Sequence, residues 1–444
     1  MYFYDREDNM KKILSVLLAV LMLAAVFSGC KKEEPKNNNG SDSQPEKIEI
    51  ISRNLDIVVY DDGTLTDYWN GVIAAFEAAN AGVTVNATMG KNAAYDLRDM
   101  ILGGSSPDFV YLPSTEESGV TDALIKDRAM ISLNDVAESV SGLVLNGTFD
   151  NTFCKPYDDG KIYIAPLFFE QEGLIYNKKL LNENGFSVPK TWDEFISLAE
   201  ACEDKSFSAF TYAGREPDEF VNMFAAALAP AVGTEKLNAL LNCDKEAWTD
   251  NEQVKAFAEK LDAIKKLVVS GSSTKTKDDV TESLKNGEAL FISGSAADLK
   301  ELLEDENADY GFAAYPALSG ESTSVAAFSE MYIPIEAKNA DLAKDFIKFL
   351  YSSEAAAVAA QTAGKLPPVA NAAELVQQYD IGKAEKEAYS AAGTAVVAPK
   401  FIVKAADNET LSDEFCALAV SIFKGDVAPD EFASKMVEYI EENY

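Results

Sequence analysis

No histidine occurs anywhere in the 444 residues. That removes the commonest general base and the commonest transition-metal ligand together. Ser-His-Asp and Cys-His nucleophiles are therefore excluded, and only carboxylate chemistry stays open to a catalytic reading. Cysteine is scarce, five in all, and no CxxC spacing marks a metal site. No metal and no cofactor is expected. Basic residues are few: Lys+Arg 39 stand against Asp+Glu 73, a formal net charge of −34. Such a surface repels phosphate backbones and anionic headgroups, so nucleic acid is not an expected partner. A solvated acidic exterior that keeps the chain soluble is the plainer meaning of that charge.

The N-terminus carries an address. Lys11 and Lys12 precede an apolar run from Ile13 to Phe27, followed by Ser28, Gly29 and Cys30. A basic lead, a run short for a bilayer core and a small-residue cleavage zone predict a secretory signal peptide over 1–29. The cysteine placed directly after that zone resembles the lipobox of bacterial lipoproteins. The resemblance implies an acylated (palmitate-bearing) Cys30 as first residue of the mature chain, anchored to the outer face of the cell membrane. Phe27 departs from the leucine-like residue usual in that box. Met1 to Asn9 is acidic and unlike the start of a signal, so Met10 is an alternative first residue. Residues 30–46, rich in Lys, Glu, Asn, Gly, Ser and Pro, read as a flexible tether.

The rest is too long for one hydrophobic core, and strand and helix patterns alternate along it. Ile48–Ile51, Ile57–Tyr60 and Phe109–Leu112 are strand-like, and Val83, Val85, Ala87 and Met89 alternate as a half-buried strand does. Trp69, Val72, Ile73 and Phe76 share a helix face. Thr191 followed by Glu194 forms a capping box ahead of Phe195, Ile196 and Ala199. Leu342, Phe346, Ile347 and Leu350 mark a later helix. Phe432, Met436, Val437 and Ile440 mark the last one, beyond Gly425 and Pro429. The pattern predicts two α/β lobes with largely parallel sheets. Of the other cysteines, Cys202 and Cys416 read as core residues; a disulfide among Cys154, Cys202, Cys243 and Cys416 stays open.

One stretch is more specific. Lys161-Ile162-Tyr163-Ile164-Ala165-Pro166 is followed by Glu170, by Tyr176-Asn177-Lys178, and by Gly185 to Pro189 with Thr191-Trp192-Asp193-Glu194. In this order and spacing it resembles the hallmark of the family 1 extracellular solute-binding proteins, the group containing the maltodextrin-binding proteins. Gly103 to Val110, with its Pro107-Asp108 step, Asn286 to Gly294, Ala340 to Leu350 and Gly425 to Phe432 resemble further segments of that family. The resemblance runs from about residue 47 to the C-terminus. It implies a two-lobe, type II-like periplasmic-binding-protein clamshell that closes on a solute. The lobes are discontinuous: an N-lobe of 47–168 plus 330–368 and a C-lobe of 173–326 plus 369–444. The chain would cross near Phe168–Gly173, near Ala326–Met331 and after Gly364–Pro368. By the same resemblance the chain is a monomeric capture subunit of an ABC importer, with a carbohydrate ligand, permease partners and no enzymatic activity.

Carried onto this chain, the family's acidic cleft position falls on Glu170, with Glu172 close by. Carboxylates accept hydrogen bonds from vicinal hydroxyls, which suits a polyol. Ligands of open α/β sheets sit at the C-terminal ends of strands. That nominates Asp61, Asp62, Tyr68 and Trp69 after the first strand, and Ser114, Thr115 and Glu116 after Phe109–Leu112. For Trp69 a helix-core role is at least as good a reading. Arg215 and Glu216 occupy a polar loop, Ser295 and Asp298 follow Gly294, and Phe328, Ser329 and Glu330 flank the second crossing. Many members place a tryptophan where this chain has Ala296 and Ala297, which argues against a maltodextrin. Three other functions compete: a glycoside hydrolase working through two carboxylates, a binder of a polyamine, cation or peptide, and a sensory lipoprotein.

Overall fold

The computed structural model describes residues 53–443, apart from 114–117, 158, 306, 380, 392, 394 and 402–408. The predicted signal peptide, tether, Cys30, the Ile48–Ile51 stretch and Ser114, Thr115 and Glu116 lie outside the described residues. Nine strands form one mixed sheet: β1 (Arg53–Tyr60), β2 (Val83–Gly90), β3 (Phe109–Pro113), β4 (Ala165–Asn177), β5 (Ser208–Thr211), β6 (Ala289–Ser295), β7 (Tyr310–Ala313), β8 (Ser324–Tyr332) and β9 (Val396–Val397). Their order is β2-β1-β3-β8-β4-β6-β5, with β7 beside β4 and β9 beside β8.

Parallel pairing joins β1 to β2 and β3, β5 to β6, and β8 to β9. The other four pairings, β3–β8, β4–β6, β4–β7 and β4–β8, are antiparallel. The expectation of largely parallel sheets is thus corrected. A chain that crosses from one lobe to the other and returns must lay its two crossing strands in opposite directions. Those strands, β4 and β8, occupy the middle of the sheet.

The helices that bear on the site are α1 (Thr66–Ala79), α2 (Trp192–Ala201), α3 (Glu219–Val232), α4 (Lys277–Lys285), α5 (Ala296–Leu302), α6 (Ala340–Leu350), α7 (Lys383–Ala391), α8 (Glu409–Lys424) and α9 (Phe432–Asn443). The expected capping box opens α2: the Glu194 amide donates to Thr191 Oγ1 at 3.3 Å, and the Thr191 amide donates to a Glu194 carboxylate oxygen at 3.3 Å. That exchange satisfies two otherwise orphaned donors. In α6 the buried set is Leu342, Ala343, Phe346, Ile347 and Leu350, one stripe at helical spacing.

Two separate apolar cores account for the two lobes. One gathers Leu55, Val59, Trp69, Phe109 and Phe346; the other gathers Trp192, Phe195, Phe224, Trp248, Phe257 and Phe415. Each buried side chain of this size contributes about 1.5–3 kcal/mol, so neither core is incidental. A third cluster lies on the opposite face of the first-lobe strands. Val58, Val110 and Leu112 alternate with Val59, Phe109 and Tyr111 and point into it. Strands covered on both faces read as continuous apolar runs, which is how Phe109–Leu112 stood out in the sequence. Leu366, Val369, Leu375, Val376, Val396 and Ala398 fill this third cluster. Of the segment 369–444, expected in the second lobe, Val369, Leu375, Val376, Val396 and Ala398 thus lie in this cluster. Beyond Leu366 the chain alternates: Ala384 and Ala388 pack with Ile175, Val280 and Ile292, and Val397 and Phe401 join the second core.

Cys154, Cys202, Cys243 and Cys416 are all buried free thiols, which closes the question of a disulfide among them.

Candidate functional site

β4 runs unbroken from one core to the other: Ala165, Leu167 and Phe168 pack in the first and Leu174 in the second. Between them, Glu170 and Glu172 lie two residues apart on the strand. β8 runs alongside, with Glu170 opposite Ala327 and Glu172 opposite Val325. On the other edge of β4, Glu172 faces Ser295, the last residue of β6. The first turn of α5 then approaches Glu170, whose Oε1 accepts from the Ala297 amide at 3.2 Å.

Ser295 and Asp298 are brought to this place but are engaged with each other. Ser295 Oγ accepts from the Asp298 amide at 3.1 Å, and Asp298 Oδ2 accepts from the Ser295 amide at 2.7 Å. They form a capping box for α5. Their contribution to the site is a fixed negative charge beside Glu172.

Three residues that the sequence did not single out complete this wall. Asp218 precedes α3, Glu219 begins it, and Lys277 begins α4. Lys277 Nζ donates to Asp218 Oδ2 at 2.9 Å, and its amide donates to Glu216 Oε2 at 2.8 Å. Glu219 is 8 % exposed and accepts from the Ala213 amide at 2.9 Å, which ties the Ala213–Asp218 loop to the start of α3. Arg215 and Glu216 border a groove of about 440 Å³ between this loop and α8. Asp218 and Glu219 adjoin the predicted Arg215 and Glu216 and were within reach of that loop reading. Lys277 had no signal, because only the fold brings α4 to this place.

Electrostatics single out Glu172. Burial, and then the negative charges of Glu170, Asp298 and Asp218, push its carboxyl up to about 8, against one opposing charge from Lys277. Burial likewise pushes Glu219 up to about 7, although the Ala213 amide favours its charged form. Both folded-state values lie above the ordinary carboxylate range. The folded protein therefore holds protons that the unfolded chain releases, so stability falls as pH rises from about 4.5 through 7 to 8. Glu172→Gln, which mimics the protonated acid, is expected to change little at pH 4.5 and to stabilise by about 1–2 kcal/mol at pH 8.5. Thermal midpoints across that range check this; a variant displaced equally at both ends would refute it.

On the first-lobe side the predicted residues divide. Asp61 is 7 % exposed, and its Oδ1 accepts from the Gly63 and Leu65 amides at 2.8 and 3.0 Å. With a further bond from Thr66 it closes the turn into α1. Asp61 is thereby corrected from ligand candidate to turn-former. Asp62 is exposed and accepts from the Thr64 hydroxyl and amide at 2.6 and 3.0 Å, bonds that hold its carboxyl below the usual range. Tyr68 and Trp69 are fully buried, edge-on to each other at 5.1 Å and to Phe168 and Tyr111. They are core residues, not a sugar-stacking platform. Phe328, 5 % exposed against Phe153 and Phe169, is corrected in the same way. Ser329 stitches the crossing: its Oγ accepts from the Phe168 amide at 3.1 Å where the β4–β8 register shifts, and it is hydrogen-bonded to the Tyr111 side chain. Glu330 is buried in β8, opposite Leu112 and Pro166.

Residues 71–389 match the family described as bacterial extracellular solute-binding protein. The diacetylchitobiose-binding protein NgcE of Streptomyces coelicolor is 23% identical over 355 residues, 77% of this chain and 73% of NgcE. The multiple sugar-binding protein of Streptococcus mutans is 23% identical over 359 residues, 78% of this chain and 79% of that protein. Among solved structures, apo RafE from Streptococcus pneumoniae superposes with a TM-score of 0.64 at 18% identity, covering 87% of this chain and 98% of RafE. A family 1 extracellular solute-binding protein from Bifidobacterium longum subsp. infantis gives 0.62 at 19% identity, covering 88% and 99%. No helix among the described residues is long and apolar enough to cross a membrane. With two discontinuous lobes, a paired crossing between them and a family match spanning most of its length, this chain belongs to the bacterial extracellular solute-binding proteins and is a binding protein, not an enzyme.

Proposed function

We propose that the chain captures a carbohydrate, in particular an oligosaccharide, between its lobes and hands it to the permease of an ABC importer. The observation that carries this reading is the pair Glu170 and Glu172 on the strand that passes from core to core, within this family. Carboxyl oxygens there meet hydroxyls in pairs, and an interlobe ligand makes differential contacts that favour the closed state. The relatives named above for diacetylchitobiose and multiple sugars support a sugar over a polyamine, cation or peptide. The ligand contacts proposed are Glu170, Glu172, Asp218 and Lys277 from the second lobe, with Asp62 and the Ser329 region from the first. Lipid anchoring through Cys30, an N-lobe of 47–168 plus 330–368, a C-lobe of 173–326 plus 369–444, and the monomeric state belong to the same proposal.

Thermal unfolding of residues 47–444 against mono-, di- and oligosaccharides tests it. A ligand that binds only the folded state, at a hundred times its dissociation constant, adds about 2.7 kcal/mol. At about 2–4 °C per kcal/mol this is a rise of about 5–10 °C. Glu170→Ala should remove most of the response while leaving the unliganded midpoint within a few degrees. A rise with calcium, spermidine or a peptide mixture, and with no sugar, would overturn the proposal.

A further inference from the structure

We infer that the cleft selects uncharged sugars and turns away those carrying a carboxylate, such as uronates. The inference rests on the carbohydrate reading above and concerns the second-lobe wall. Glu172 is the centre of that wall, and the groups facing it come from four directions. Its own strand supplies Glu170, and α5 supplies Asp298, held in its capping box beside Ser295, the cross-strand neighbour of Glu172. The start of α3 supplies Asp218, and α4 supplies Lys277. Tyr315 comes in beside Ser293, to which its hydroxyl is bonded, and feels the charge of Glu172.

Four carboxyls, Glu170, Glu172, Asp298 and Asp218, therefore gather around one ammonium, which already pairs with Asp218 at 2.9 Å. Its backbone amide is taken as well, by Glu216. Lys277 is the cation that faces Glu172, and Asp218 shares its charge before any incoming carboxylate meets it. A uronate would have to shed its hydration against like charge, and misplaced like charges across an interface cost several kcal/mol. An uncharged sugar meets no such barrier. Its hydroxyls donate to Glu170, and the acid form of Glu172 donates to a sugar oxygen. The field of the remainder of the protein acts in the same sense, because the formal net charge is −34.

The experiment uses the neutral hexose oligosaccharide giving the largest thermal shift in the panel, and the same sugar oxidised at C6 to its uronate. Both are titrated calorimetrically at pH 7 in 50 mM and 500 mM salt. The uronate is expected to bind at least tenfold more weakly, with a gap that narrows at high salt. In Glu170→Gln/Glu172→Gln the gap should narrow further, since the charge of Glu170 is gone, Glu172→Gln keeps the wall neutral at that position, and hydrogen-bonding capacity is kept. Equal or tighter uronate binding to the unmodified protein would overturn the inference and leave the carbohydrate reading intact. A gap unmoved by both salt and the double variant would overturn it too, by showing that shape and not charge discriminates. If no neutral sugar binds at all, the carbohydrate reading falls and this inference falls with it.

Discussion

Replacing Asp108 by alanine is expected to lower stability by about 3–4 kcal/mol. The carboxylate is 2 % exposed and serves two distant parts of the first lobe. Its Oδ2 accepts from the Asp56 amide in β1 at 3.0 Å, and Oδ1 accepts from the Asn339 amide, just before α6, at 2.7 Å. Asn339 Nδ2 adds a third bond at 3.2 Å. Alanine leaves all three donors without this acceptor in a part-buried place, each at about 1–3 kcal/mol, partly recovered by relaxation and water. At about 2–4 °C per kcal/mol the thermal midpoint falls by about 6–12 °C. Asp108→Asn keeps one acceptor oxygen and should lose about half as much. A midpoint for Asp108→Ala within 2–3 °C of the unmodified protein would show that water or a rearranged loop serves these donors instead. The Pro107-Asp108 step, read in the sequence as a family mark, thus has a physical reason: Asp108 ties β1, 52 residues before it, to the start of α6, 231 residues after it.

The second large effect is expected at Gly173. Along one edge of β4, β8 ends opposite Glu172 and β7 begins opposite Leu174, so Gly173 sits where the two partners meet end to end. A Cβ there would lie 2.3 Å from the Ala313 carbonyl oxygen and 2.8 Å from the Phe312 ring. The oxygen is backbone and cannot yield without opening the β4–β7 ladder. Gly173→Ala should therefore cost about 3 kcal/mol or more and should also weaken ligand binding, because Glu172 is its neighbour. Gly294, directly across the β4–β6 ladder, is the control. Its added Cβ meets mainly the mobile end of Ile175, at 2.7 Å, and Gly294→Ala should cost about 1 kcal/mol. Urea titrations of both variants decide; equal losses would mean that the contact at Ala313 is not what forbids a side chain.

How much of this was legible beforehand depends on the kind of residue. Elements with local signals came through: the Thr191–Glu194 cap, the alternation of β2 and the stripe on α6 all write their geometry into adjacent residues. The crossing at Glu170 came through because a motif of long span marks it. What failed was anything set by sequence-distant partners. Asp61 follows a strand and Tyr68 and Trp69 lie in the helix after it, where a ligand residue would stand. Turn hydrogen bonds to Asp61, and packing of Tyr68 and Trp69 against Phe168 and Tyr111, show them to be interior. Lys277 and Asp218 lie 59 residues apart and become a pair only through the loop that Glu219 anchors. The antiparallel middle of the sheet was invisible for the same reason: strand direction is a property of the path, not of the strand.

That path has a consequence for synthesis. Each core joins residues far apart in the chain: the first needs Leu55 and, on its far face, Val396 and Ala398, and the second needs Leu174 and Met436. Domains that are contiguous in sequence can fold one after another as they leave the ribosome. Here no such staging point exists. At 5–20 residues per second, the first lobe waits roughly 17–70 s between Leu55 and Ala398, and the second roughly 13–50 s between Leu174 and Met436. A nascent chain of this design stays open until it is almost complete. That is the condition in which a polypeptide can be threaded through a translocation pore, and a premature stop anywhere before α9 leaves no finished piece behind.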